Sequence, residues 1–277
     1  MSTATTDTSS LPIAPGDSDH GRFRVALELG RAANGMTVVD WGCAHGWFAT
    51  TLAERLTDAR VIACDIPYAG DPPQFEGTTV EYQVFDESGP VLSLPDGCVD
   101  RVFLLDVLEH MGPASRPLAL AEIRRVLRED GRLIVTVPYR GALHWTDVEN
   151  IRFRFPRLHR LAFGALRGRE FYQQRYGVNR LANFSTDAEE HHHYTFAELT
   201  SALGRGGFRV ETRRYFGVAQ IVPWSLTMLS EAVAHLTGRS LPVLDRMAKR
   251  LTLRSIDANP PAWLAEWLGV TARPESR

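Results

Sequence analysis

The chain has 277 residues, 44% of them hydrophobic and 23% charged, the balance of an ordinary soluble globular protein with room for one large domain. A net charge of −2 provides no global field to recruit nucleic acid or an anionic membrane. The three cysteines, Cys43, Cys64 and Cys98, are widely spaced and form no CxxC pair, which argues against a zinc ribbon or disulfide framework and favours a reducing compartment.

Residues 1–16 are small and polar and read as a disordered tail, with neither the basic start nor the apolar core of a signal peptide. No run reaches the roughly 18 apolar residues that span a bilayer, so the cytoplasm is the expected location. Asp17 or Ser18 is placed to cap a first helix carrying Phe23, Val25, Ala26 and Leu29, ended by Gly35. "MTVVDWG" reads as a buried strand and "GWFATTLAERL" as a helix. "ARVIACDI", "TTVEYQVFD" and "CVDRVFLLDVLEHM" supply strands two, three and four. "SRPLALAEIRRVLRED" reads as an amphipathic helix stopped by Gly131, and "GRLIVTVPY" as a fifth strand.

From 140 to 193 the alternation breaks, and the segment is rich in arginine and aromatics. An insertion of that length in a compact domain usually forms a lid or binding loop. The arginines could also neutralise an anionic acceptor, contact RNA, or line a solvated helix face. "TFAELTSALGRGGF" then reads as a helix with Thr195 and Glu198 as a capping box. "FRVETRRYFG" is a strand, residues 218–262 are mostly helical, and "AEWLGVTARP" is a last strand returning to the sheet. The apolar positions of 224–236 suit a core face, a lid over a lipid-like acceptor, or a homodimer face.

Strands that are near-continuous apolar runs, alternating with helices, predict a parallel sheet covered on both faces. Four strands carry an acid at or near the carboxyl end: Asp40, Asp65, Asp86 and Asp106. In open α/β sheets the ligand lies outside those ends. Gly42 and Gly46 permit close approach of a ligand to the turn after strand one, and the following helix offers free N–H groups. The pyrophosphate fingerprint GxGxxG is absent, which disfavours NAD or FAD.

These segments, in this order, resemble the class I S-adenosylmethionine-dependent methyltransferases. "VVDWGCAHGWF" resembles their first motif and "VIACDI" the acid after strand two. "FDESGPVLSLPDGCVDRVFLLDVLEHM" resembles the stretch from strand three's acid to a Leu-Glu-His turn, and "EIRRVLREDGRLIVTVPY" the helix and strand five. "YTFAELTSALGRGGFRV" resembles the helix before strand six, so the likeness covers residues 38–139 and 194–217. Ala44 stands where the family often has glycine.

The resemblance implies a three-layer Rossmann-like α/β fold with a mostly parallel seven-stranded sheet over residues 17–277, with acceptor-side insertions at about 140–193 and 218–262. It implies S-adenosylmethionine as cofactor. Asp65, followed by Ile66, would bind the ribose hydroxyls and Asp86 would face the adenine amino group. Asp40 would lie near the amino-acid end, with Gly42, Cys43, Ala44 and Gly46 in the loop and Leu105 and Asp106 at the wall. The acceptor expected is a small molecule, anionic or lipid-like among the options, methylated at oxygen: a sugar, glycosylated metabolite or phenol. Nitrogen or RNA methylation and a non-catalytic cofactor-binding module are the alternatives, and no NPPY-type tetrad is present. No nucleic-acid partner is expected.

In-line transfer from a sulfonium needs alignment, dryness and, for a hydroxyl acceptor, a base, but no metal. Imidazole suits that role near neutral pH. The candidates are His144, Glu149 and the triplet His191, His192 and His193, and His192 is preferred on the family pattern, with His144 and His191 next. Adjacent histidines in "EEHHH" lack the i, i+4 spacing of a helical metal site. His110 is read as a turn residue and Cys43 as a small apolar filler.

Overall fold

The computed structural model describes residues 21–66, 73, 75, 77–85, 89–147, 154–167, 192–239 and 241–275. The N-terminal tail and the caps at Asp17 and Ser18 lie outside these residues, as do Asp86, Glu149 and His191. Seven strands, β1 (Thr37–Trp41), β2 (Arg60–Asp65), β3 (Glu81–Val84), β4 (Val99–Leu105), β5 (Leu127–Pro138), β6 (Phe208–Phe216) and β7 (Trp267–Pro274), form one sheet. Its order is β3-β2-β1-β4-β5-β7-β6. The five strands from β3 to β5 pair in parallel, and β7 runs antiparallel between β5 and β6.

The apolar strands are buried on both faces because helices cover both. Val39, Ile62, Leu104, Val135 and Leu268 pack on one side with Leu120 and Ile123 of α3 (Ser115–Val126). Val38, Ala63, Phe103 and Ile134 pack on the other with Phe23 of α1 (Gly21–Gly30) and Phe48 and Leu52 of α2 (Trp47–Arg55). Neighbouring residues of one strand thus serve opposite cores, as the period of two requires. The remaining helices are α4 (Pro156–Arg167), α5 (Phe196–Arg205), α6 (Ile221–Thr237) and α7 (Pro242–Asp257). Leu199 and Leu203 of α5 join the α3 side. Its capping box forms: Thr195 Oγ1 accepts from the Glu198 N–H, and Glu198 accepts from the Thr195 N–H.

Two boundaries differ from the sequence expectation. The helix expected to run to Asp130 ends at Val126, and β5 starts at Leu127, which pairs with Val99. Arg128, Glu129 and Asp130 are exposed, so no buried face holds another helical turn there. Strand β3 keeps only Glu81–Val84 of the longer run expected, a short edge strand at the rim of the sheet.

The topology places the site. The chain goes outward from β1 through β2 to β3, then returns to β4 on the other side of β1. The reversal opens a crevice at the carboxyl ends of β1 and β4. Asp40 lies level with Ala63 of β2 and Phe103 of β4 at that edge.

Candidate active site

The turn after β1 is built from three left-handed residues at alternate positions: Gly42 (φ 78°), Ala44 (φ 46°) and Gly46 (φ 78°). The N–H groups of Gly42 and Cys43 both donate to the Cys64 carbonyl, at 2.8 and 3.1 Å, which holds the turn against β2. Glycine is required twice for space as well as for φ. A Cβ on Gly42 would lie 2.5 Å from Val107, and one on Gly46 would lie 2.5 Å from the Phe75 ring. Ala44 tolerates its conformation because its N–H is anchored by Asp65 Oδ2 at 2.7 Å.

Asp65 also accepts from the Ile66 N–H through Oδ1 at 2.8 Å. Burial raises its pKa, and the two N–H donors oppose that. Each oxygen keeps a further lone pair for a ligand hydroxyl. Asp40 is 3% exposed, and its Oδ2 has no hydrogen-bond partner among the described residues. Burial pushes its pKa to about 7, reinforced by the Asp65 charge, while the Ala49 amide and Arg22 act the other way. A buried carboxylate oxygen without a donor among the described residues suits a ligand that brings a cation or N–H donors. The cationic amino-acid end of S-adenosylmethionine meets that description, and the hydroxyls of its ribose meet the open lone pairs of Asp65.

Asp106 (φ 54°) is held differently. Its Oδ1 accepts from the Thr136 hydroxyl at 2.8 Å, and its Oδ2 pairs with Arg22 at 2.9 Å. It therefore pins the end of β4 to β5 and to α1. Leu105 packs into the core under α1 and α2 and is 8% exposed. Cys43 is buried, and burial first, then the charges of Asp40 and Asp65, push its thiol up, which removes it as a nucleophile.

The histidines divide. His192 stacks edge-on against Tyr194, with ring centres 4.5 Å apart. It lines an open pocket of about 390 Å³ between α3 and α5, together with Arg116, Glu198 and Arg205. His193 points the other way, with its Nε2 3.2 Å from Asp147 Oδ2. His144 lies beside it, with ring centres 5.8 Å apart and its Nδ1 bonded to the Gly141 carbonyl at 2.8 Å. Asp147, Arg22 and Thr136 were not singled out by sequence reasoning. Thr136 did leave a signal, as the one hydroxyl in the apolar run "LIVTVP".

A family model described as a methyltransferase domain matches residues 39–135. An uncharacterized 37.1 kDa protein from a transposon of Streptomyces fradiae is 33% identical over 129 residues, 46% of this chain and 37% of that protein. The malonyl-[acyl-carrier protein] O-methyltransferase of Herminiimonas arsenicoxydans is 31% identical over 109 residues, 39% of each. The chain thus spans about two-fifths of the length of the curated relatives it matches. A chain from the complex of the Haloferax volcanii Trm112 methyltransferase activator with a methyltransferase superimposes with a TM-score of 0.52 at 15% identity, covering 95% of this chain and 92% of that one. That likeness concerns the fold. The sheet order is that of the Rossmann-like methyltransferase fold. The match to the methyltransferase-domain model is confined to residues 39–135 of the 277.

Proposed function

We propose that this protein binds S-adenosylmethionine across the carboxyl ends of β1, β2 and β4 and transfers its methyl group to oxygen of a small-molecule acceptor. The observation that carries the reading is the buried Asp40 Oδ2, left without a donor beside the left-handed turn that Asp65 clamps. Asp40 would receive the ammonium of the cofactor's amino-acid end, and Asp65 the ribose hydroxyls. Gly42, Cys43, Ala44 and Gly46 would line the cofactor, and Ile66 would flank it beside Asp65. Asp86 would face the adenine amino group. Leu105 and Asp106 would form the wall between cofactor and acceptor, with Asp106 acting through its ties to Thr136 and Arg22.

The cofactor supplies an electrophilic methyl on a sulfonium. The chain's part is to hold the acceptor in line, exclude water and accept a proton. The acceptor would approach over β4 and β5, where the loops after β5 and before β7 meet: Ala142 donates to the Trp263 carbonyl at 2.6 Å. Oxygen as the acceptor atom is supported by the name of the Herminiimonas relative. Among the described residues no helix is long and apolar enough to cross a membrane.

Calorimetry with S-adenosylmethionine and S-adenosylhomocysteine, followed by a radiolabelled methyl-transfer screen, tests this reading. Micromolar binding of both and label transfer to a hydroxyl or carboxyl compound are expected. Failure of both ligands to bind would overturn it. Binding without transfer to any acceptor, RNA included, would instead favour a regulatory cofactor-binding module.

A further inference from the structure

A solvated surface helix turns its apolar stripe inward and its charges outward. Helix α4 departs from that rule. Leu158 is 63% exposed and Leu161 71%, while His159 between them is buried. Phe155, immediately ahead of the helix, is 57% exposed. Arg157 and Arg160 are exposed as well, each one position before a leucine. At about 100° per residue, the arginine row and the leucine row run side by side along the helix. Neither arginine has an ion-pair partner among the described residues.

The neighbouring helices repeat this pairing of outward apolar and basic side chains. Both α4 and α7 pack on α6. In α6, Val222, Leu229 and Leu236 are exposed at seven-residue intervals, which is one helical face. In α7, Val243 and Met247 are exposed one turn apart, with exposed Arg246, Lys249 and Arg250 beside them. Trp145 and Trp263 are exposed in the turns after β5 and before β7, and the Arg154 guanidinium donates to the Trp145 carbonyl at 3.0 Å. Among the described residues, ten of the thirteen exposed large hydrophobic side chains lie in this helical lobe and its adjoining turns, so the outward apolar surface is gathered here rather than scattered. The charge is gathered too. Helices α4, α6 and α7 carry seven basic and three acidic residues, in a chain of net charge −2.

We propose that this lobe docks on the surface of an anionic lipid bilayer. Helix α4 lies in the plane of the interface, as helices with one apolar and one strongly basic row do. Phe155, Leu158 and Leu161 enter the boundary between head groups and acyl chains, and Arg157 and Arg160 meet the lipid phosphates. The proposal goes beyond the methyl-transfer reading and stands without it.

The sign of the charge and the shape of the surface choose the occupant. A bilayer takes a convex apolar surface without a matching cavity, and an anionic leaflet supplies the negative charge that Arg157 and Arg160 lack among the described residues. Guanidinium suits the place, because it keeps its charge while its stem lies along apolar surface. Tryptophans at the margin of the lobe suit the level of the head groups. A second copy of the chain fits less well, since packing α4 on α4 about a two-fold axis sets arginine against arginine. Among the described residues no helix is long and apolar enough to cross a membrane, so the contact is peripheral. Pro138 at the end of β5 and Phe216 at the end of β6 both pair with Trp267. The segments leading to α4 and α6 therefore leave the sheet at the edge where β4 ends, and docking brings that edge toward the lipid.

The test is flotation of the full chain with large unilamellar vesicles. One set is pure phosphatidylcholine, the other equal parts of phosphatidylcholine and phosphatidylglycerol. The wild type is expected to float with the anionic vesicles alone and to be released by salt. Leu158→Glu/Leu161→Glu and, separately, Arg157→Gln/Arg160→Gln should each weaken that binding by about 10-fold or more. Both should keep the wild-type melting temperature, since all four side chains are exposed. Leu118→Glu, at an exposed leucine of α3 outside the lobe, should float like the wild type. Absence of flotation by the wild type would overturn the proposal, and so would a concentration-dependent dimer or RNA binding found in its place. Equal binding to pure phosphatidylcholine, unchanged binding in either double variant, or an equal loss in Leu118→Glu would overturn it as well.

Discussion

Asp65 Oδ2 accepts a hydrogen bond from the N–H of Ala44 at 2.7 Å, so the acid at the end of β2 holds the turn that follows β1. One carboxylate shapes the loop and keeps lone pairs facing the crevice. Asp65→Ala removes both functions. A hydrogen bond to a charged group contributes about 1.5–3 kcal/mol, so S-adenosylhomocysteine affinity should fall by about 10- to 100-fold. Calorimetry checks this; unchanged affinity would remove Asp65 from the ribose site.

Ala44 holds φ at 46°, where a side chain is disfavoured. The left-handed conformation costs a non-glycine residue about 1–2 kcal/mol, while glycine loses about 0.5–1 kcal/mol in chain entropy. Ala44→Gly should therefore stabilise the protein by a fraction of a kcal/mol to about 1 kcal/mol, seen as a higher denaturant midpoint with an unchanged slope. The neighbouring Gly42 behaves oppositely. Gly42→Ala combines a positive φ with a Cβ 2.5 Å from Val107, and should destabilise by about 2 kcal/mol or more.

Thr136 is fully buried, and its hydroxyl holds Asp106 at 2.8 Å. Thr136→Val keeps the volume and removes the donor. A loss of about 1–3 kcal/mol of stability is expected, measured by chemical denaturation. A weaker cofactor affinity should accompany it, because Asp106 then relies on the half-exposed Arg22 alone.

Asp40 titrates near 7 in the fold, against 3.8 for an unhindered Asp. Between those values the folded chain keeps a proton that the unfolded chain has released. Its contribution is therefore present below about pH 4 and is lost as pH rises toward 7. Thermal melts of the ligand-free protein should show the wild type losing stability relative to Asp40→Asn across that window. Glu266, also raised to about 7, contributes in the same direction, so the difference between the two melts isolates Asp40. Binding of S-adenosylhomocysteine should tighten over the same range in the wild type and not in Asp40→Asn. A flat difference would remove the ammonium-facing role.

The turn chemistry is legible in the amino-acid sequence. Gly42 and Gly46 mark the left-handed turn, and Asp40 and Asp65 mark the strand ends, because apolar strands and glycine positions are local properties of the chain. The placement of Ala44 at positive φ is not legible there, since only the bond from its N–H to Asp65, 21 residues away, makes that conformation tolerable. Asp106 is legible as a strand-end acid but not as a clamp, because its partners Arg22 and Thr136 come from α1 and β5.

The histidines show the same division. Composition and spacing locate a cluster after the insertion and rule out helical metal spacing. They do not say which ring faces Asp147, because that depends on the phase of a two-residue extended segment. The bridge between Tyr139 and Tyr194 sets the phase and turns His193, rather than His192, toward Asp147. By itself the sequence determined the alternating strands and helices, the glycine turn and the acids at the strand ends, since periodicity and backbone freedom are written residue by residue. Only the tertiary structure decided which acid oxygen is orphaned, which acid is clamped and which imidazole meets Asp147. Those outcomes depend on burial and on hydrogen bonds between segments far apart in the chain.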